Sequence, residues 1–131
     1  MWTYVQKTGE LYHDLVLVGT GYAGHGEGLN NPADEFAKNV GPLPVGKYTI
    51  AYALTDAVTG PVSMHLVPDP RNVMHGRGSF LIHGDNAAMN HTASDGCIIM
   101  ARPIRETIDA SRDRELQVVA DYDPSSITTV V

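Results

Sequence analysis

The chain has 131 residues, enough for one domain around one core. A formal net charge of −6, with nine Lys and Arg scattered along the chain, leaves no basic stripe for a phosphate backbone and excludes nucleic acid as the expected partner. Thirteen glycines and eight prolines favour turns and short strands over a helix bundle, and a single cysteine excludes an internal disulfide.

Residues 2–6 (Trp-Thr-Tyr-Val-Gln) read as a strand from their β-branched and aromatic content, and Thr8-Gly9 as a turn. Glu10 to His13 and Leu15 to Tyr22 read as further strands. The continuous apolar run Leu15-Val16-Leu17-Val18 predicts burial on both faces. Gly24 to Lys38 is a long, glycine-rich polar loop with one helical turn over 33–37, and loops of this length are often functional. No Gly-Lys-Ser/Thr follows its glycines, so it is not a phosphate loop. Gly41-Pro42-Leu43-Pro44-Val45-Gly46 is a rigid turn cluster.

Lys47 to Leu54 alternates as a strand, Gly60-Pro61 turns the chain, and Val62 to Val67 is the next strand. Ser79 to His83 is a short buried strand, Gly84 to Gly96 a loop, and Cys97 to Met100 a short apolar segment. Pro103 to Arg112 is the one helix, with Pro early and Ile104 and Ile108 four apart. Leu116 to Tyr122 closes as a strand. The expected architecture is mainly β, a single domain over 1–131 of about eight short strands, one short helix and a long glycine-rich loop, with a loose tail at 124–131. The start shows no basic end followed by an apolar run, and no stretch reaches about 18 apolar residues. A leader peptide and a membrane span are therefore not expected. The protein would be made in the cytoplasm and reach any outside target by another route.

The chemistry concentrates in two stretches, Phe80-Leu-Ile-His83-Gly84-Asp85-Asn86 and Ala93-Ser94-Asp95-Gly96-Cys97-Ile98. By default a lone cysteine is a small buried hydrophobe. Here a buried strand ends at a histidine, and a polar loop returns as Ser-Asp-Gly-Cys. A loop of this length closes at modest entropic cost, so imidazole and thiol can meet on adjacent elements. The pairing suits nucleophilic catalysis. A free thiol is only a few per cent ionised at neutral pH, and an imidazole base removes its proton and later protonates a leaving amine. The Gly84 carbonyl is the candidate orienting acceptor for His83. The N–H groups of Asp95, Gly96 and Cys97 are candidate oxyanion donors, with the Ser94 hydroxyl either supporting them or capping the loop.

His83-Gly84 followed by Ser94-Asp95-Gly96-Cys97 resembles the L,D-transpeptidase signature. The similarity is greater to the type VI secretion L,D-transpeptidase effector branch. It is carried by Trp2-Thr-Tyr, Thr8-Gly9-Glu10-Leu11, Gly19-Thr-Gly-Tyr22, Gly41-Pro-Leu-Pro44, Gly46-Lys-Tyr-Thr-Ile50 and Phe80-Leu-Ile-His-Gly-Asp85, and it spans residues 2 to about 120. The resemblance implies a β-rich catalytic domain in which Cys97 attacks the carbonyl between meso-diaminopimelate and D-alanine of a peptidoglycan stem peptide. His83 would serve as base and acid, and Gly84 would orient it. The acyl-enzyme would pass to water, giving L,D-carboxypeptidase activity, or to an amine, giving crosslinks or D-amino acid exchange. The resemblance also implies an antibacterial effector acting in the periplasm of a target bacterium, with a cognate immunity protein and the secretion machinery as partners. Asp95 stands where many members of the wider family carry His. A carboxylate beside the thiolate opposes its ionisation, so Asp95 is expected to point away.

Among the other candidates, Arg77 and Arg102 are either surface charges or bidentate ligands of a substrate carboxylate. His25 in the glycine-rich loop, Tyr22 and Tyr52 are candidate groove residues. No cofactor or metal is expected. The alternatives are a metal-dependent hydrolase built on His83 and Asp85 with His75 and His91, and a non-enzymatic wall-binding domain.

Overall fold

The computed structural model describes residues 1–122. Nine strands form one curled half-barrel sheet, accompanied by one helix and two 3-10 turns, so the protein is mainly β. β1 (Trp2–Val5), β2 (Glu10–His13) and β3 (Val16–Thr20) form an antiparallel meander. β4 (Gly46–Ile50), β5 (Leu54–Asp56), β6 (Gly60–Pro68), β7 (Leu81–His83) and β8 (Ile98–Ile99) follow. Helix α1 (Arg102–Ala110) leads into β9 (Glu115–Val119).

Across the sheet the order is β3-β2-β1-β9-β4-β6-β7-β8, with β5 paired to β6 off this path. β1 runs parallel to β9 and β7 parallel to β8, while the other pairs are antiparallel. The segment after β3 returns to the far end of this order. Tyr22 N–H donates to the Ile99 carbonyl and Ile99 N–H to the Tyr22 carbonyl, at 3.1 and 2.8 Å, so the two sheet edges touch at one bridge.

Trp2, Tyr4, Ile50, Met64, Ile82 and Leu116 are among the fully buried side chains of one hydrophobic core. The helix adds Ile108, fully buried, and Ile104, partly buried, four residues apart on one face. The helix ends at Ser111, whose extended backbone leaves the helical path and whose N–H bonds back to the Thr107 and Ile108 carbonyls. This is two residues earlier than the sequence pattern predicts.

Three expectations need correction. The run Leu15-Val16-Leu17 is half exposed or more, at 50, 68 and 50 %. β3 is an end strand of the order and has a ladder partner on only one side, so its apolar run is not enclosed. The segment 47–54 is not one strand. β4 stops at Ile50, the Ala53 N–H turns to the Asp109 carboxylate on α1, and Leu54 begins β5. The helical turn expected over 33–37 is a 3-10 turn at Pro32–Asp34, one of two in the loop, started by Pro32 and capped by the Asn31 side chain on Ala33 N–H. The loose tail expected at 124–131 lies outside the described residues. Among the described residues no helix is long and apolar enough to cross a membrane.

Candidate active site

The parallel pair β7–β8 sets the register of the two chemistry-bearing stretches. Ile82 faces Ile98 and His83 faces Ile99, so Cys97, one residue before β8, stands beside Leu81. Side chains alternate along a strand, which places Cys97 and His83 diagonally on the same face. Both line one open groove of ≈ 560 Å³, together with Asp56, Val58, Asp85 and Asn86. A larger hollow of ≈ 720 Å³ lies between Lys47, Arg71 and Val119, and its walls carry no thiol, hydroxyl or imidazole.

His83 is buried, and its Nδ1 lies 2.8 Å from the Gly84 carbonyl oxygen. A carbonyl only accepts, so Nδ1 carries the proton and Nε2 keeps a free lone pair. Burial pushes the imidazole pKa below its ordinary value. The Gly84 carbonyl opposes that shift, the Arg105 charge adds to it, and Asp56 and Asp85 oppose it. The Cys97 sulfur accepts the Leu81 N–H at 3.3 Å. Burial pushes the thiol pKa up, the Leu81 N–H pulls it down, Asp95 raises it, and its own N–H and Arg77 lower it. The net shifts leave a thiol beside a neutral imidazole at neutral pH. The two side chains do not bond each other directly. Such catalytic contacts often tighten only when substrate is bound.

The loop before Cys97 is built on Ser94, which is fully buried. Its Oγ accepts from Gly24 N–H at 2.8 Å and Gly96 N–H at 3.0 Å and donates to the Cys97 carbonyl at 2.6 Å. The glycine-rich loop is thereby tied to the segment carrying the thiol. The Gly96 N–H is taken by this bond, so Gly96 leaves the expected set of oxyanion donors. Ser94→Ala strands two buried donors and one acceptor. It should lower the free energy of unfolding by at least about 2 kcal/mol, read from urea titration; an unchanged midpoint would mean that the hub does not hold the loop. The Asp95 side chain is 73 % exposed and its carboxylate lies 3.7 Å from His25 Nδ1. That same nitrogen donates to the Ser94 carbonyl at 2.8 Å, so His25 braces the loop before Cys97 from the glycine-rich side.

The expected substrate arginines are elsewhere. Arg77 is buried, and its guanidinium donates to the carbonyls of Glu35, Gly41, Pro42 and Asp95. It is neither a surface charge nor free to clamp a carboxylate. Arg102 is exposed on α1 beside Glu106 and borders a different hollow with Leu54 and Pro61. The Tyr22 phenol, its pKa pushed up to about 12 by burial and by Asp85, stays protonated and donates to Asp85 at 2.8 Å. It also accepts the Ala93 N–H at 3.1 Å, so one hydroxyl ties both ends of the loop between His83 and Ser94. Tyr52 is exposed, with the Arg114 guanidinium 3.9 Å over its ring, and does not line the groove.

The residues of the metal alternative do not converge. His75 bonds Glu35 at 2.8 Å, His91 lies edge-on to the Tyr22 ring, and Asp85 holds the Tyr22 hydroxyl. Among the described residues the one group of three ligand-type side chains is His13, Asp14 and Asp113, which does not border the groove. Sequence reasoning missed Asp56 and Val58 on the groove wall, the Leu81 N–H on the sulfur, and Arg105 beneath His83-Gly84. Arg105 lies three residues before Ile108, so helical spacing places it on the buried face, but a guanidinium there is by default read as solvent-exposed.

Comparison with curated proteins and with solved structures returns no match. A family model for the Tlde1 domain matches residues 18–121, from the end of the β3 apolar run to beyond β9, and so covers the groove and both of its chemistry-bearing stretches. The chain belongs to the Tlde1 domain family, the type VI secretion L,D-transpeptidase effector family.

Proposed function

We propose that this protein is a peptidoglycan-modifying cysteine enzyme, an L,D-carboxypeptidase and L,D-transpeptidase acting on stem peptides at the meso-diaminopimelate–D-alanine bond. The observation that carries this reading is the thiol of Cys97 and the free Nε2 of His83 on one wall of one open groove, with Nδ1 fixed by the Gly84 carbonyl. Family membership supports the substrate class.

In the proposed reaction His83 Nε2 takes the thiol proton as Sγ attacks the carbonyl carbon. The tetrahedral intermediate collapses when the imidazolium gives that proton to the leaving amine of D-alanine. A thioester to Cys97 remains. Water or an amine, deprotonated by His83, then attacks the thioester and releases the peptide or a new amide. Backbone N–H groups at Asp95 and Cys97 are the candidate oxyanion donors, since Gly96 is engaged with Ser94. Delivered into a rival cell and acting in its periplasm, such an activity damages the wall. A producing cell then needs a neutralising immunity protein.

Incubation with purified muropeptides separates the routes by product mass. Loss of D-alanine reports hydrolysis, a joined pair reports crosslinking, and a substituted terminus reports exchange. Unchanged masses under all conditions, together with no toxicity when the protein is exported to the periplasm, would leave a wall-binding role instead.

A further inference from the structure

Among the described residues only two side chains of Lys, Arg, Asp or Glu are buried, Arg77 and Arg105, and both are cations in a chain of net charge −6. Neither is ion-paired. The arginines with a carboxylate oxygen within 4.0 Å are Arg71, Arg102 and Arg114. The Glu35 carboxylate faces His75 and Gln6, so its charge acts on Arg77 only across a distance, as that of Glu106 acts on Arg105. The hydrogen bonds of each buried guanidinium go to main-chain carbonyls alone, and the Arg77 guanidinium also lies over the Phe80 ring, 5.2 Å from its centroid. Arg77 uses those of Glu35, Gly41, Pro42 and Asp95, and Arg105 those of Pro61, Val62 and Met100. Their positions are matched. A Cβ on Gly96, next to Cys97, would lie 2.6 Å from Arg77 Nη2, and a Cβ on Gly84, next to His83, would lie 2.7 Å from Arg105 Nη2.

We propose that Arg77 and Arg105 are positioning residues for the reaction at Cys97, two cations without an ion pair lodged beneath the glycines that adjoin the thiol and the imidazole. A buried charge without a counter-ion is costly, and placing one beside each member of a reacting pair needs a reason beyond packing. Arg77 favours the anion that develops at Sγ and offsets the exposed Asp95 carboxylate on the same loop. Arg105 keeps His83 unprotonated until it receives the thiol proton, against the pull of Asp56 from β5 and Asp85 from the following loop. It then makes the imidazolium a stronger acid towards the leaving amine. The direction of each charge effect agrees with this assignment.

The proposal rests on Cys97 being the nucleophile, and its test needs no peptidoglycan. The rate of Cys97 alkylation by iodoacetamide is followed against pH in the wild type, Arg77→Met and Arg77→Lys. NMR of the imidazole carbons follows His83 titration in the wild type, Arg105→Met and Arg105→Lys. In Arg77→Met the thiol inflection should rise by about one pH unit, with alkylation at pH 7 about tenfold slower. In Arg105→Met the His83 titration should rise by a similar amount. The lysine variants keep the charge but lose most of the carbonyl bonds, so their Tm should fall while the inflections stay near wild type. If a methionine variant does not fold, Arg77→Gln or Arg105→Gln, neutral but still able to donate to a carbonyl, takes its place with the same expected rise, and an unmoved inflection there overturns the proposal. Inflections unmoved in the methionine variants, or raised by a unit in the lysine variants, overturn the proposal alone. A wild-type thiol unreactive across the pH range overturns the nucleophile reading and this proposal with it.

Discussion

Cys97→Ala is expected to lower kcat/KM for D-alanine release from a tetrapeptide muropeptide by at least about 10³-fold, with Tm near the wild-type value. The thiol is half-buried at the groove wall and is the only sulfur nucleophile available in the chain. His83→Ala should cost a similar factor, because without Nε2 a thiol whose pKa is raised by burial stays protonated near neutral pH. The two losses should not add, since both remove the same proton transfer. The pH profile follows from the signs of the two shifts. The reactive form holds a protonated thiol and a neutral imidazole. His83 is pushed below its ordinary 6.5, mainly by burial, so kcat/KM should rise with pH through a step below 6.5 and stay level towards the raised thiol. A fall in kcat/KM as pH rises through a step above 6.5 would mean that the resting pair is already imidazolium and thiolate, with the imidazolium proton lost at that step. The direction of the burial effect would then be wrong. Equal toxicity of wild type and Cys97→Ala after export to the periplasm would remove the enzymatic reading altogether.

How much of this was legible in the sequence depended on the kind of interaction. Glu10 to His13 is legible to the residue because turn signals on both sides, Thr8-Gly9 and His13-Asp14, bound it locally. Ile104 and Ile108 were legible because helical spacing directly reports a shared face. The exposure of Leu15, Val16 and Leu17 was not legible, because a run of apolar residues looks the same in a central and an end strand and only the sheet order distinguishes them. The break between β4 and β5 was hidden for a similar reason, since it depends on Asp109, a residue 56 positions away from Ala53. At the site, His83, Gly84 and Cys97 stood out because few residue types carry such chemistry. Arg77 did not, because nothing local separates a guanidinium on the surface from one bonded to four distant carbonyls. The Gly96 N–H was misjudged because its acceptor, the Ser94 side chain, also had a plausible turn-capping role.

The two edges of the sheet meet at the Tyr22–Ile99 bridge, and Gly21 is the residue on which that meeting depends. A Cβ there would sit 1.8 Å from the Ile99 carbonyl oxygen and 2.8 Å from the Met100 sulfur. The sulfur can swing away, but the carbonyl belongs to the bridge itself. Gly21→Ala must therefore push apart Tyr22 and Ile99 and give up the two hydrogen bonds between them. Overpacking against backbone and two lost bonds together should cost about 3 kcal/mol or more, seen as a lower urea midpoint. The effect should reach the chemistry as well. Ile99 lies beside His83 in the β7–β8 register, and Tyr22 holds the loop between His83 and Ser94 through Asp85 and Ala93. Opening the bridge moves both walls of the groove, so the folded fraction of Gly21→Ala should lose activity beyond its loss of stability. Tyr22→Phe leaves the backbone bridge in place and removes only the phenol bonds, so its midpoint should fall far less. If Gly21→Ala were as stable as the wild type, the edges would not be in contact, and the alignment of Cys97 with His83 would have to come from the β7–β8 pair alone.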